Sequence, residues 1–381
     1  MKKLFLASVI SALFAAPTTV LAQAKPGAVP TLDKVLEASG ISVSGYIDTG
    51  YTHADRNVEG GFSTRVFDSQ NNSFVLHQLG VSISKQPKAG FGGVVNFTTG
   101  KDAPVINSVN PNDPPASQFD LTQAYAQYAR GPLTLIAGKF VTLQGTEVIW
   151  SPSNLNASRS ILFGAIPFTH TGVRGSWALN DQVSFYAGLN NGWDQLTDSN
   201  RPKTVELGVS LNPIKPLSIT VTDYMGKESS TPTAPTVATT ALLGDFKRNS
   251  LNAVASYSIS DPLSVGAEYL TVSQEIPGGA KPKYNGFALY GSYMFTPKYR
   301  GVLRYESFND KDGMHFGIGI GTGGEKFKEV TVTGSYLVAD NFEMRAEVRR
   351  DTASKTSAFT DFAGQPSKSL MTLALQGLYK F

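Results

Sequence analysis

Five charged side chains near the end of the chain alternate in sign at every second residue. They are Glu343, Arg345, Glu347, Arg349 and Asp351. Successive side chains of a strand point to opposite faces, so a strand here would carry all five on one face. Such groups can select ions if they face a water-filled passage, or they can pair with one another and brace a wall. Acid and base alternate on adjacent rungs, so both interpretations stay open for this set.

The same rule of parity assigns further polar residues to the inside of a barrel. Val173 and Trp177 share one parity, whereas His170 and Arg174 share the other. An Arg or Lys that faces lipid at the midplane of a membrane costs about 2–4 kcal/mol, so these groups must face inward if the strands cross a membrane. The inward positions chosen in this way are His170, Arg174, Glu206, Arg248, Glu268, Arg300, Arg304 and Glu306.

A long loop at residues 142–164 is the candidate for a constriction. It holds Glu147 and Arg159, and it carries Trp150 and Pro152, which can give it a fixed shape. Loops longer than about 12–15 residues are usually functional or disordered. If the loop narrows a passage, its opposite charges would set up a transverse field there. A loop that lies wholly outside is the alternative.

The elements that must position these residues are strands. Segments of about ten residues with alternating apolar positions recur to the end of the chain, as at 205–211 and 330–338. The opposite positions carry Ser, Thr, Asn, Gly and charge, and this period of two is the signal of a half-buried strand. Helical spacing is found only at Thr31 to Ser39, which predicts one short helix.

The connections between these segments alternate in length. Short turns rich in Pro, Asn, Asp and Gly supply the turn dihedrals, and they lie at 85–90, 130–132, 180–182, 212–216, 260–262, 296–298 and 339–341. Long polar loops lie near 53–72, 100–118, 142–164, 194–202, 228–246, 275–283, 309–326 and 352–367. Seven short turns and eight long loops predict about sixteen strands, with both termini on the short-turn side. We therefore predict an all-β fold, a closed transmembrane antiparallel β-barrel with short periplasmic turns and long extracellular loops.

A soluble, exported β-sandwich or solenoid is the alternative fold, because an apolar face can also pack against a second sheet. Aromatic residues near the turn ends favour the barrel, since aromatic belts mark its membrane interfaces. The belt candidates are Trp177, Phe185, Tyr257, Tyr293, Phe295, Tyr299, Tyr336, Phe342, Tyr379 and Phe381.

The amino end has the pattern of a secretory signal peptide. Lys2 and Lys3 precede an apolar run over 4–16, and small residues offer cleavage after Ala22 or Ala24. This combination directs export, and the apolar run is too short for a membrane-spanning helix.

The carboxyl end has the pattern of a closing strand. Tyr379 and Phe381 share the apolar parity of the last eleven residues, and the ending resembles the assembly signal of bacterial outer-membrane barrels. We predict a signal peptide at 1–24, a periplasmic segment with the short helix at 25–40, and the barrel at 41–381.

Composition excludes several kinds of protein. Cysteine is absent, so neither disulfides nor thiolate metal sites can hold the fold. Charged residues make up 17% of the chain, against about 25% in soluble domains, which fits a surface that partly faces lipid. The net charge of +3 includes the two lysines of the signal peptide, so the mature chain lacks the dense basic face that nucleic acid needs.

The four histidines do not form a catalytic or metal-binding pattern. His53, His77, His170 and His315 are scattered singly, and three of them lie in or near predicted loops, where we expect them to be solvated. His170 is the exception, because it could form a hydrogen bond inside the barrel. We expect no enzyme activity, no cofactor and no metal site.

Four segments in the middle of the chain carry a resemblance to a known family. They are Gly145–Glu147, Asn154–Ser160, Pro167–Arg174 and Asn191–Asp194. They resemble the outer-membrane β-barrel porins of the OmpL-like "porin-2" group, and the resemblance extends from Ile41 to Phe381. It implies an outer-membrane barrel that passes small solutes, and it supplies no established catalytic or ligand residues.

The expected function is a water-filled channel for passive diffusion of small hydrophilic solutes and ions, in the outer membrane of a Gram-negative bacterium. The alternatives are a structural or adhesive barrel with a plugged lumen, a barrel enzyme, and a soluble exported binding protein. The expected partners are outer-membrane lipid, the barrel-assembly machinery and the solutes themselves, with no nucleic acid. Analogy with sixteen-stranded general porins suggests a homotrimer.

Overall fold

Sixteen antiparallel strands close into one barrel in the computed structural model, which confirms the predicted fold. The structure describes residues 31–56, 64–108, 117–198, 200–228, 246–276, 278–316, 324–355, 359–360 and 365–381. The predicted signal peptide at 1–24 lies outside the described residues.

The barrel strands follow one another around the wall in chain order. They are β1 (Ser42–Ala54), β2 (Ser73–Lys85), β3 (Gly90–Thr99), β4 (Phe119–Arg130), β5 (Leu133–Val141), β6 (Thr169–Ala178), β7 (Val183–Asn190), β8 (Thr204–Ile214), β9 (Leu217–Glu228), β10 (Phe246–Ser258), β11 (Leu263–Gln274), β12 (Lys283–Thr296), β13 (Tyr299–Asp310), β14 (Glu325–Ala339), β15 (Phe342–Ala353) and β18 (Ser369–Lys380). Two short strands, β16 (Phe359–Thr360) and β17 (Pro366–Ser367), form a separate sheet. Strand β18 pairs with both β15 and β1, and this pairing closes the barrel.

The seven predicted short turns all join neighbouring strands, from β2–β3 to β14–β15. The predicted long loops join the strands at the opposite end. Gly131 lies in the two-residue connection between β4 and β5 with a φ of 57°, a backbone conformation that favours glycine.

The described residues contain four helical elements besides the strands. The predicted helix at the amino end is α1 (Leu32–Ser39), which ends at Gly40 with a φ of 68°. Two single-turn helices, α2 (Ala103–Ile106) and α3 (Ile161–Gly164), and a 3-10 turn at Ser151–Ser153 lie in long loops, where the sequence analysis did not predict them. No helix in the described ranges is long and apolar enough to cross a membrane.

In the middle of the strands, apolar side chains of one parity face outward and polar side chains of the other face inward, as predicted. Val173, Leu207 and Val348 are 53%, 46% and 47% exposed. Their polar neighbours in the sequence, Arg174, Glu206 and Glu347, are buried. The belt candidates are exposed, except for Phe342, which is half-buried.

The apolar core lies inside the barrel, towards the long-loop end. One cluster joins α3 to inward residues of β11–β14, among them Tyr284 and Phe308. A second cluster joins Phe67, Ile106 and Ile149 to Phe163 and Phe168. Long loops therefore fold back into the bore and bury apolar surface there.

Candidate functional site: the inner loop and its anchors

The segment between β5 and β6, residues 142–168, crosses the interior of the barrel, and we call it the inner loop. It leaves β5 and reaches β9, where the backbone N–H of Leu143 donates to the hydroxyl of Tyr224 at 2.8 Å. The next contacts are on β10 and β11, where Gly145 donates to the side chain of Asn252 at 3.1 Å and Thr146 donates to Glu268 at 2.8 Å. The loop thus leaves its own strands and lies against β9–β11.

Carboxylates of the wall hold pairs of consecutive backbone N–H groups of the loop. Glu347 accepts hydrogen bonds from the N–H groups of 157–158, at 2.7 and 3.0 Å. Glu306 accepts from those of 161–162, at 2.7 and 2.6 Å. Charge-assisted bonds of this kind are about twice as strong as neutral ones. Two predicted pore residues therefore fix the position of the loop backbone.

Arginines of the wall hold the carbonyl groups of the same segment, residues 156–159. Arg345 donates to the carbonyl of residue 156 at 3.1 Å, and Arg304 donates to that of residue 158 at 2.9 Å. Arg349 donates to the carbonyl of residue 159. Acids that accept from N–H groups and arginines that donate to carbonyls together satisfy a buried, irregular backbone.

The two predicted constriction charges, Glu147 and Arg159, both lie within the folded loop. Glu147 pairs with Arg304 at 2.6 Å and also accepts the backbone N–H of Ser160 at 2.7 Å. Arg159 donates to backbone carbonyls of the loop itself, and its guanidinium lies 5.5 Å from the ring centre of Phe67. Burial lowers the pKa of Arg159. These residues are 6% and 2% exposed, so both are shielded from solvent.

Three predicted residues on β6 and β8 lie together beside the root of the loop. Arg174 and Glu206 form a two-pronged ion pair, with one contact of 2.8 Å. The guanidinium also lies 4.3 Å from the ring centre of Phe140. His170 is fully buried, its ring is 4.8 Å from that of Tyr224, and its Nδ1 lies 3.0 Å from the carbonyl oxygen of Gly192.

The other predicted wall residues are also paired. Arg248 donates to Gln274 at 2.8 and 2.6 Å, and Asp351 accepts from Arg349 at 2.7 Å. Glu268 accepts from Asn252 as well as from the loop.

Two of the fifteen predicted charged or polar residues of the bore, Arg300 and Glu343, are only half-buried. Their side chains pair with each other, and Glu343 also accepts from Arg345 at 2.8 Å. Among the predicted pore residues they are therefore the ones that solvent reaches, and they lie near the β12–β13 and β14–β15 turns.

Two histidines are not solvated, contrary to the sequence prediction. His77 is 7% exposed and lies inside the barrel, 3.3 Å from Asp102. His315 is 5% exposed and packs against Phe308 and Phe316, and burial lowers its pKa to about 3. His315 lies in a long loop that turns inward, whereas His77 lies on β2, where a bulge in the pairing with β1 skips this residue; sequence parity shows neither feature. His53 is exposed, as predicted.

Several buried charges were missed by the sequence analysis. Glu329 pairs with Arg304 at 2.9 Å, and it follows the same parity as its neighbours on β14, so the rule could have found it. Asp194 accepts the backbone N–H groups of 168–169, at 2.8 and 2.9 Å. It lies in a loop, where parity gives no signal.

The terminal aromatic residues face outward at the seam of the barrel. Tyr379 and Phe381 are 43% and 57% exposed. The backbone of Phe381 exchanges two hydrogen bonds with Gly45, at 2.8 and 2.9 Å, which continues the pairing of β18 with β1. The Phe381 ring lies over Gly45, where a side chain would collide with it.

Comparison with known proteins gives one family and a set of similar folds. The family model described as "Putative beta-barrel porin-2, OmpL-like" matches residues 40–381. No curated protein matches the chain.

Solved structures of outer-membrane proteins share the fold at low sequence identity. The anion-selective porin from Comamonas acidovorans has a TM-score of 0.62 and 11% identity over 90% of this chain and 99% of that one. The outer membrane channel DcaP of Acinetobacter baumannii has a TM-score of 0.59 and 13% identity over 90% and 97%. The trimer form of OmpT of Vibrio cholerae has a TM-score of 0.56 and 11% identity over 90% and 99%.

Proposed function

Because this chain belongs to the OmpL-like β-barrel porin-2 family and is an outer-membrane channel for solute diffusion, we propose that its inner loop forms the constriction of the channel. The observation that carries this proposal is the set of bonds from wall carboxylates and arginines to the loop backbone. They hold the loop across the bore, where it limits the space open to a solute.

The predicted charged residues then have two different roles. Those that are buried and bonded to the loop, such as Glu306 and Arg349, set the size of the passage by fixing the loop. Arg300 and Glu343 remain partly open to solvent, so they act on the ions that pass. Different residues of the wall thus fix the inner loop and select the passing ions.

The proposal includes no catalytic step. Three histidines of the described residues face inward: His77 lies against Asp102, and the rings of His170 and His315 are both enclosed by aromatic side chains. A general base must reach the proton that it removes, and neither ring is placed to meet a solute.

We also propose that the chain assembles through the barrel-assembly machinery into outer-membrane lipid and forms a homotrimer. The exposed aromatic belt and the outward-facing rings of Tyr379 and Phe381 at the seam of the barrel support the first part. The trimer form of OmpT, a structure of similar fold, supports the second. Cross-linking of the protein in outer-membrane vesicles would give a trimer band, and a monomer band alone would contradict it.

The test of the constriction is removal of the loop tip, residues 149–157. Two side-chain bonds link the residues that flank it, since Arg159 donates to the carbonyl of Val148 at 3.0 Å and Glu147 accepts the N–H of Ser160. Both bonds lie outside the deleted residues, so the deletion does not remove them. Single-channel conductance in planar bilayers should rise at least twofold over that of the full chain.

A matched control removes residues 278–280 from the exposed loop between β11 and β12. This deletion should leave conductance unchanged. Heat-modifiable migration verifies that both variants fold. Equal conductance of the folded tip deletion and the full chain would place the loop outside the permeation path.

A further inference from the structure

Two cavities lie inside the barrel on the short-turn side of the inner loop. The first, of about 400 Å³, lies between the loop tip at 150–153 and the inner faces of β1–β4. The second, of about 200 Å³, lies between the loop and β10–β12. Ser153 at the loop tip borders both cavities. A solute that passes the constriction must therefore meet these surfaces.

Nine of the seventeen residues that line the first cavity carry neutral hydroxyl or amide groups, on a surface that is otherwise largely apolar. Those groups belong to Ser44, Tyr46, Ser82, Ser84, Gln86, Asn96, Gln123, Tyr125 and Ser153. Among the described residues that line it, Lys380 alone has a charged side chain. This contrasts with the inner faces of β13 and β15, where arginines and carboxylates are bonded to the loop.

The second cavity has the same character. Its wall carries four serines, at 256, 258, 264 and 292, and its one charged residue is Glu147 among the described lining. That carboxylate is 6% exposed and is paired with Arg304. The two cavities therefore offer hydroxyls rather than free charges on both sides of the loop tip, whereas the charged pair Arg300–Glu343 lies elsewhere on the short-turn side, near the β12–β13 and β14–β15 turns.

Several polar groups of the first cavity are held in place by one another. Gln86 donates to the hydroxyl of Tyr125 at 3.3 Å, and Gln123 donates to Asn96. The hydroxyl of Tyr46 donates to Gln78 at 2.6 Å, so its oxygen can still accept a hydrogen bond. Donors and acceptors that are already fixed reduce the entropic cost of ordering side chains when a solute binds.

Aromatic rings complete this surface. Trp150 is half-buried at the loop tip, and it faces the cavity together with Tyr46 and Tyr125. A sugar ring presents apolar C–H groups on its faces and hydroxyls at its edge, so it matches flat rings flanked by amides. A bare ion would exchange its hydration for neutral groups, which costs free energy.

We propose that the first cavity is a binding site for neutral polyhydroxylated solutes of the size of a mono- or disaccharide. The proposal rests on the proposed function, because it names the class of solute that the channel favours. Its volume lies within the range of roughly 300–1,000 Å³ typical of small-molecule sites. Trp150 packs on the sugar ring, while Asn96 and Gln123 bond its hydroxyls.

The first experiment compares a neutral sugar with its charged analogue. Proteoliposomes that contain the full chain should swell at least tenfold faster in glucose than in sodium gluconate. Sucrose should reduce the ion current through single channels in a saturable way. Equal rates for glucose and gluconate, or a current that falls only in proportion to viscosity, would overturn the proposal.

The second experiment removes the ring of Trp150. Trp150→Ala should raise the sucrose concentration for half-maximal block at least fivefold, whereas Trp150→Phe should raise it less than twofold. Trp177→Ala, on the outer face, serves as the matched control and should change nothing. An unchanged half-maximal concentration in the folded Trp150→Ala variant would overturn the site.

Two further measurements separate the possible failures. If the wild type carries no ion current, the proposed function fails, and sucrose binding is then read from tryptophan fluorescence in detergent, with Trp150→Phe as the blank. Absence of a saturable change would overturn the site as well. If Lys380→Gln lowers gluconate entry below that of wild type and leaves glucose entry equally slow, the cavity is an anion site instead.

Discussion

Replacing Glu347 by alanine tests whether wall carboxylates hold the inner loop in place. Glu347 is 2% exposed on β15 and accepts three hydrogen bonds, from the backbone of residues 157–158 and from the hydroxyl of Thr333 at 2.7 Å. Alanine removes every acceptor at once. Both N–H groups of the loop then lack their partner.

The structure gives the expected magnitude. A hydrogen bond to a charged group contributes about 1.5–3 kcal/mol, so the two backbone bonds amount to roughly 3–6 kcal/mol of local stabilisation. Glu306 and Glu268 still hold the loop on either side. We therefore expect the loop to loosen while the barrel stays closed, which gives larger and noisier single-channel currents.

The assay is single-channel recording with a reversal potential under asymmetric salt. Glu347→Gln keeps one acceptor oxygen and should show a smaller increase in conductance. Val348→Ala, one residue away on the outer face, should behave as wild type. If Glu347→Ala shifts only the reversal potential and leaves conductance and noise unchanged, the carboxylate acts as a pore charge and the anchoring argument fails.

Three other predictions follow from burial and parity. Leu207 is 46% exposed on the outer face, so Leu207→Arg places a charge against lipid and should lower the free energy of unfolding from bilayers by about 2–4 kcal/mol in urea titrations. Leu207→Phe is the control, and equal urea midpoints for the two variants would refute the outward assignment. Deleting Phe381 removes the two backbone hydrogen bonds to Gly45 and should reduce the amount of heat-modifiable protein in outer-membrane fractions while export continues. Undiminished assembly would contradict a role of Phe381 in barrel assembly. Burial lowers the pKa of His315 to about 3, whereas in the unfolded chain its imidazole binds a proton below about pH 6.5, so the unfolded state holds more protons between these two values. The free energy of unfolding should therefore fall as pH drops from 6.5 towards 3. His315→Phe should lessen this pH dependence; if the ring were solvated, both proteins would show the same dependence.

Parity and turn length were enough to predict the barrel, because both are local properties of the sequence. The alternation at 205–211 assigns Leu207 to the outside and Glu206 to the inside without knowledge of any partner. Short turns need particular dihedrals and therefore particular residues, so they mark strand pairs directly.

The partners of the inward charges could not be predicted in the same way. Parity shows that Glu306 points inward, but not that it meets the backbone of Ile161, which is 145 residues away in the sequence. Similarly, nothing local indicates that the loop around His315 turns into an apolar cluster. These contacts depend on how far each long loop reaches into the bore, which is decided by packing across the whole barrel.

The inner loop also bears on the order in which the molecule folds. Its anchors on β10–β15 follow it in the chain by between 106 and 194 residues, from the bond of Gln144 to Ser250 to that of Ser151 to Arg345. Contacts of such long sequence separation form late, because a long stretch of chain must first be ordered. We therefore expect an assembling barrel to pass through a state in which most strands are paired while the inner loop has not yet formed its contacts with the wall. The narrowest part of the channel would then be among the last parts of the molecule to take shape.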